Sequence, residues 1–309
     1  MIRKFHYIAS KMDSTVYAFC LVVFAAALFA LMHNVIRYVT TSEGIHPFEA
    51  AFFRNLFGVL LFAPWIIKNG FSILRTARPF MHIARAGLNS ISLLAWFTAL
   101  SLMPVADATA LGLLSPVFVT ILAIIFLSET VGIRRWIGVF IALLGGLIIV
   151  RPGFSEIGLG TWLILFAALT VSSSKLMAKV LSNTESAGQI VGLLTLLMLP
   201  ITLLPAIFVW KTPDLYQLMF LALIGFFGVI GHLLFVQAYK LADISVVEPA
   251  IFTRMIWAAL IGYIMFSEFP DLWTWIGGGI IVIGTTYIAR REAIRGEERV
   301  PVSESRVGD

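Results

Sequence analysis

The sequence predicts an all-α integral membrane protein, with ten transmembrane helices arranged as two inverted five-helix repeats. Three observations carry this expectation: the hydropathy, the placement of basic residues and an internal duplication. Of the 309 residues, 60% are hydrophobic and 13% charged. A soluble domain of that length cannot hide so much apolar surface, whereas a chain in lipid need not.

A bilayer core about 30 Å thick takes roughly 20 apolar residues per helix. Runs of that order fall at 16–38, 48–67, 81–101, 106–126, 133–150, 160–179, 187–209, 216–239, 245–266 and 273–289. Pro200 and Pro205 interrupt the seventh. The first follows Arg3, Lys4 and Lys11, as a signal peptide would, but it is too long for an h-region. The expected organisation is a cytoplasmic N-terminus over 1–15, a first repeat over 16–151, a second over 158–289 and a cytoplasmic tail over 290–309. Cys20 is the single cysteine, which excludes an internal disulfide or a multi-cysteine metal site. No metal or cofactor is expected.

Charge sets the orientation. With the N-terminus in the cytoplasm, 17 of the 22 basic residues fall on inside segments, among them Arg75, Arg78, Arg134, Arg135 and five tail arginines. Arg37, Arg151 and Lys211 fall outside, and Arg54 and Arg254 lie within helices. Such a bias places both ends in the cytoplasm and the chain in an inner (plasma) membrane. The net +5 is therefore a topology signal, and no aromatic-interleaved basic patch suggests nucleic acid.

A shift of 139 residues superposes the third to fifth runs on the eighth to tenth without a gap. Ser128-Glu129 falls on Ser267-Glu268, Trp136-Ile137-Gly138 on Trp275-Ile276-Gly277, Gly145 on Gly284 and Arg151 on Arg290. From 128 to 151, 9 of 24 positions are identical to their partners. Five spans per copy is an odd number, so the copies enter the membrane from opposite sides. Secondary transporters use such duplications, with a site near the midplane between the halves.

These motifs resemble the drug/metabolite transporter superfamily, in its ten-helix EamA-like branch. The resemblance rests on Leu114-Ser115-Pro116-Val117-Phe118, Phe126-Leu127-Ser128-Glu129, Trp136-Ile137-Gly138, Gly145-Gly146, their echo from Met265 to Gly284, and Phe53-Arg54. It covers about residues 15–290 and is specific for family rather than substrate. It implies a carrier of amino acids, nucleotide sugars, vitamins or similar metabolites, with a cavity lined chiefly by helices 1, 3, 4, 6, 8 and 9. The second copy departs from the pattern. Met255 stands opposite Pro116, and its proline is Pro249, so the kinks of the fourth and ninth helices are expected to differ.

Arg254 is the clearest polar outlier, about ten residues into an apolar run. A central arginine costs roughly 2.5–3.5 kcal/mol on insertion, so it must face the bundle interior. One reading gives its guanidinium a substrate carboxylate, with Trp257 on the same face as a stacking wall. The other has it bond carbonyls freed at a kink. The third helix carries Arg85, Asn89, Ser92 and Trp96 in one stripe, the eighth His232, Phe235 and Tyr239, and the first Ala30, Asn34 and Arg37. Each hydroxyl or amide can serve interhelical bonding, while the stripes together point to a wet cavity. One reading has Arg37 and Lys175 simply snorkel; in a nucleotide or sugar-phosphate carrier, Lys175 would instead form a phosphate pair with Arg254.

Glu49, Asp107 and Glu248 lie near helix ends, and no deep carboxylate could exchange protons with a cationic drug. No paired deep carboxylates or Ser-His arrangement suggest an intramembrane enzyme. The expected function is transport of a small carboxylate-bearing metabolite by alternating access, as a monomer or homodimer. Aromatic or hydrophobic amino acids are the preferred substrates, bound by Arg254, Trp257, Trp96, Asn89, Ser92, His232, Asn34 and Tyr239, and export is the direction the family analogy suggests. A nucleotide, sugar-phosphate or vitamin carrier is the rival within transport, and a membrane enzyme or scaffold the rival outside it.

Overall fold

The computed structural model describes residues 14–69, 75–127, 132–153, 156–242 and 250–298. The regular secondary structure of these residues is helical: α1 (Ser14–Thr41), α2 (Pro47–Asn69), α3 (Pro79–Leu102), α4 (Val105–Gly112), α5 (Ser115–Leu127), α6 (Ile133–Val150), α7 (Leu159–Leu181), α8 (Ala187–Ile207), α9 (Leu215–Leu241), α10 (Thr253–Phe266) and α11 (Leu272–Glu298). Among the described residues, eight helices are long and apolar enough to cross a bilayer, α4 and α5 counting as one, and α10 is a shorter apolar helix.

Amphipathic spacing explains how the bundle closes. In α1, Ala18, Val22, Ala25, Phe29, Met32, Ile36 and Val39 recur every three or four residues and are all buried. Outward-facing residues such as Phe24, Phe140, Ile264 and Ile283 are exposed and apolar, as lipid contact requires. Trp136, Trp162, Trp210 and Trp273 are exposed at or near helix ends, where aromatic belts sit. Capping boxes start α8, with Ser186 and Gln189, and α9, with Asp214 and Gln217.

Packing between the halves is reciprocal. Helix α1 packs on α9 and α10, while α7 packs on α3 and on α4–α5. Helices α2 and α8, α4 and α10, and α6 and α11 pack on each other. When the copies are exchanged the contacts of α1 and α7 interchange and the other three map onto themselves, as a pseudo-two-fold axis in the bundle produces.

The α6–α11 contact shows why the repeated glycines recur. A Cβ on Gly145 would sit 2.5 Å from the Gly277 carbonyl oxygen, and a Cβ on Gly284 would sit 2.7 Å from that of Gly138. Gly138 and Gly277 are repeat partners, as are Gly145 and Gly284. The Gly145–Gly277 contact is thus the repeat image of the Gly284–Gly138 contact, and two backbones touch where any side chain would part them.

The expectation that the fourth and ninth helices kink differently is corrected. The fourth breaks at Leu113-Leu114, between α4 and α5, and the ninth at Phe252, just before α10. Leu113 and Phe252 are separated by the repeat shift of 139. The break thus occurs at equivalent positions, with Pro116 in one copy and Met255 in the other. Thr253 Oγ1 donates to the freed Ala250 carbonyl at 2.6 Å, and Ser172 Oγ donates to the Ser115 carbonyl at 3.0 Å. At the break that lacks a proline, the Thr253 hydroxyl serves a carbonyl of the interrupted backbone.

Candidate functional site

The two breaks place Ser115 and Arg254, themselves repeat partners, at the wall of a cavity of about 730 Å³. Its lining runs from Arg85 to Phe97 on α3, Ala167 to Lys175 on α7, Val191 to Met198 on α8 and Gly225 to Val236 on α9. It is displaced toward the face where α3 and α8 begin and α7 and α9 end. Helices α2 and α8 contribute to the wall, in addition to the six that the family resemblance implies.

The opposite face is closed by polar contacts. Arg37 Nη1 donates to the Leu100 and Met103 carbonyls at 3.1 and 2.5 Å, and Nη2 meets Glu268 Oε1 at 2.5 Å. Arg37 therefore does not snorkel: it ties α1 to the end of α3 and to the α10–α11 turn. Ser267 makes that turn in the left-handed region, at φ 57°. Arg151 pairs with Asp271, the Thr274 hydroxyl donates to Asp107, and Gln217 donates to the Glu43 carbonyl.

The cavity's described lining is rich in cationic side chains. Arg54, Arg85, Lys175 and Arg254 line it, with His33 and His232, and no Asp or Glu is among its described lining. Arg85 donates to the Ile190 carbonyl at 2.8 Å and Lys175 to Ser115 Oγ at 3.2 Å. Arg254 makes no hydrogen bond or ion pair among the described residues, and its Nε is buried without a partner.

Aromatic rings form one wall. The Trp96 ring lies so close over Gly112 that a Cβ there would sit 2.7 Å from it. On its other flank His33 stands with centroids 5.3 Å apart. The Trp96 Nε1 is buried and unpartnered. Phe29 meets His232 at 5.0 Å and stacks on Phe235 at 5.6 Å.

Of the residues singled out in the sequence, Arg254, Trp96, Asn89, Ser92 and His232 line the cavity. Asn89 donates to Ser174, and Ser92 Oγ donates to the Ala167 carbonyl at 2.8 Å, so both also tie α3 to α7. Asn34 is corrected: it is fully buried, donates to the Ala30 carbonyl at 2.9 Å and faces Gly262, away from the cavity. Trp257 is likewise corrected, since it packs on the apolar core and not on the cavity wall. The side chain of Tyr239 lies outside the described residues, as do Val247 and Glu248. Sequence reasoning placed Arg54 within a helix without assigning it to the site, and passed over His33. Both could have been found by the criterion that selected Arg254, a charged or ionisable side chain well inside an apolar run.

Residues 16–151 and 158–290 match the EamA-like transporter family. The chain is 29% identical over 248 residues to the S-adenosylmethionine uptake transporter of Rickettsia bellii, covering 80% of this chain and 85% of that one. It is 31% identical over 273 residues to the riboflavin transporter of Vibrio cholerae, covering 87% and 91%. A solved crystal structure of 16% identity superposes with a TM-score of 0.60 over 92% of this chain and 98% of the other, a likeness of fold.

Proposed function

The chain belongs to the EamA-like transporter family and is a multi-pass membrane transporter of small metabolites, and from that premise we propose that its substrate is a small amphipathic metabolite bearing an anionic group, a carboxylate first, and a flat ring. One observation carries this: Arg254 stands in the cavity wall with no hydrogen bond or ion pair among the described residues, and no carboxylate is among the cavity's described lining. A substrate carboxylate supplies the missing counter-charge, in the bidentate geometry that guanidinium favours. Trp96, backed by Gly112 and flanked by His33, offers the ring its wall.

The relatives agree with this chemistry in part. S-adenosylmethionine carries a carboxylate and a planar base but also an ammonium and a sulfonium that leave it a net cation, and riboflavin carries the ring without the acid. Amino-acid export finds no support among them, so an aromatic amino acid is one chemistry the site accommodates and no longer the preferred one. A flavin-like vitamin is the second reading, favoured by the aromatic wall of Phe29, Trp96 and Phe235. With the cytoplasmic N-terminus that the basic residues favour, the cavity faces inward and the Arg37 network closes the outer side.

Counterflow in proteoliposomes tests the reading. Acids with planar rings should exchange, and the same compounds with the carboxylate amidated should exchange at least about tenfold more slowly, the weight of one charge-assisted contact. Equal rates for acid and amide would remove the carboxylate from the proposal and leave the vitamin reading.

A further inference from the structure

Arg254 comes from the second repeat, yet the cavity holds a second poorly compensated guanidinium from the first. Arg54 lines the cavity from α2, and its one hydrogen bond among the described residues is to the adjacent Asn55 Oδ1, at 3.0 Å. Its Nε is buried and unpartnered. Asn55 in turn donates to Thr202 Oγ1 of α8 at 3.2 Å, so Arg54 is held by a neutral chain that leaves its charge unanswered.

Glycines on α9 make room for it. A Cβ on Gly225 would sit 2.5 Å from Phe57 Cβ, which shows how closely α2 and α9 approach. One turn on, a Cβ on Gly228 would lie 3.7 Å from Arg54 Nε and 3.9 Å from its Nη2. The repeat partner of Gly228 is Asn89, so the second copy has no side chain where the first has an amide. A Cβ there would make ordinary contact with the guanidinium, whereas a side chain the size of that amide would compete for its place.

The two arginines share one environment. His33 of α1 and His232 of α9 line the same cavity as Arg54 and Arg254. Each central arginine costs roughly 2.5–3.5 kcal/mol on insertion. Two of them in one cavity, without an acid in its described lining, form a site for more than one negative charge.

We propose that Arg54 is a second anion anchor, so that the transported ligand presents two negative charges to Arg54 and Arg254, as a phosphate monoester or as two carboxylates attached to the flat ring. This rests on the reading of Arg254 as an anion site and extends it from one charge to two. A guanidinium from each repeat then holds the ligand, and its release requires the repeats to separate. The same geometry disfavours cations throughout the cavity.

Binding of simple ring anions to the detergent-purified full-length protein tests it, with benzoate as the single charge and phenyl phosphate as the double one. At pH 7.5 the phosphate is largely dianionic, because its second pKa is near 6. Inorganic sulfate at matched ionic strength controls for screening. Wild type should bind phenyl phosphate about tenfold more tightly than benzoate, and Arg54→Gln should bring that ratio to about one. Arg254→Gln should weaken both probes. Arg54→Met, neutral and suited to an apolar setting, replaces the glutamine variant if that one does not elute as a monodisperse species.

An unchanged ratio in the Arg54 variants overturns the second anchor and leaves the Arg254 reading standing. Binding of both probes that is indifferent to Arg254→Gln, or no binding of either by the wild type, removes the anion site itself. Phthalate run beside phenyl phosphate separates the two sources of charge. A preference for phthalate selects a dicarboxylate, and the reverse selects a phosphate ester.

Discussion

Arg37 on α1 and Glu268 in the α10–α11 turn meet at 2.5 Å, and the same guanidinium holds the Leu100 and Met103 carbonyls at the end of α3. Helices of both repeats are thereby tied together on the face away from the cavity. Glu268 is the repeat partner of Glu129, which lies outside the described residues. A latch of charge-assisted bonds at one face is what a carrier needs if that face is to open in turn, because each bond to a charged group is worth only about 1.5–3 kcal/mol.

Breaking the latch should open that face. In a Cys20→Ser background, a cysteine at the fully buried Ala99 should react slowly with an impermeant thiol reagent. Adding Glu268→Gln or Arg37→Gln should raise that rate roughly tenfold, since loss of one such contact shifts a two-state equilibrium by about that factor. Unchanged labelling would show that other contacts hold the face shut.

The α6–α11 seam gives a paired stability prediction. Gly145→Ala puts a Cβ 2.5 Å from the Gly277 oxygen and should destabilise the protein by about 1–3 kcal/mol, the usual cost of overpacking. Gly279→Ala meets nothing within 4 Å and should be neutral or stabilising by up to about 1 kcal/mol, from helix propensity. Thermal unfolding of the two variants in one detergent compares them directly. Equal destabilisation would mean that the seam is not tightly packed.

Acid should loosen the closed face through Asp271. Burial acts to raise its pKa, but hydrogen bonds from the Thr274 N–H and hydroxyl and the Arg151 guanidinium outweigh that and hold it below the ordinary value of 3.8. A carboxyl with a depressed folded pKa stabilises fully above its unfolded value, and that contribution is lost as pH falls through the folded one. Asp271→Asn should therefore lower the melting temperature at neutral pH, and the gap to wild type should close as the pH falls below 3.8. A gap independent of pH would assign the effect to geometry instead of charge.

The aromatic wall depends on a glycine. Gly112→Ala would intrude to 2.7 Å of the Trp96 ring and force it to shift. It should weaken ring-bearing substrates several-fold while sparing inorganic anions, because aromatic contacts add about 0.5–1.5 kcal/mol. Trp96→Phe should keep most of the ring affinity. Equal loss for ring-bearing and inorganic anions would place Trp96 outside the ring subsite.

Much of the fold was legible because lipid leaves a chain few choices. Apolar runs must be helices, and the Trp-Ile-Gly repeat announced the seam that Gly138, Gly145, Gly277 and Gly284 build. Arg254 was legible as a charge in an apolar run. The cavity face of α1 was not. Sequence spacing selected Ala30, Asn34 and Arg37, whereas the wall is Phe29, Met32 and His33, one residue round and so rotated by about 100°. Both stripes have helical period, and only the position of α9 chooses between them. Trp257 lies on the same face as Arg254 but one turn further along α10, beyond the cavity's described lining. Arg54 gained its meaning from Gly225 and Gly228, which are distant in sequence.

The central claim is that Arg254 takes the anionic group of the substrate, and transport by Arg254→Gln tests it most directly. The variant should insert and purify normally, since removing a central arginine eases insertion. Reconstituted beside wild type, it should lose transport of a ring-bearing acid about tenfold or more and leave its uncharged amide at the wild-type rate. Equal loss for acid and amide would contradict the account and make Arg254 a structural cation of the bundle.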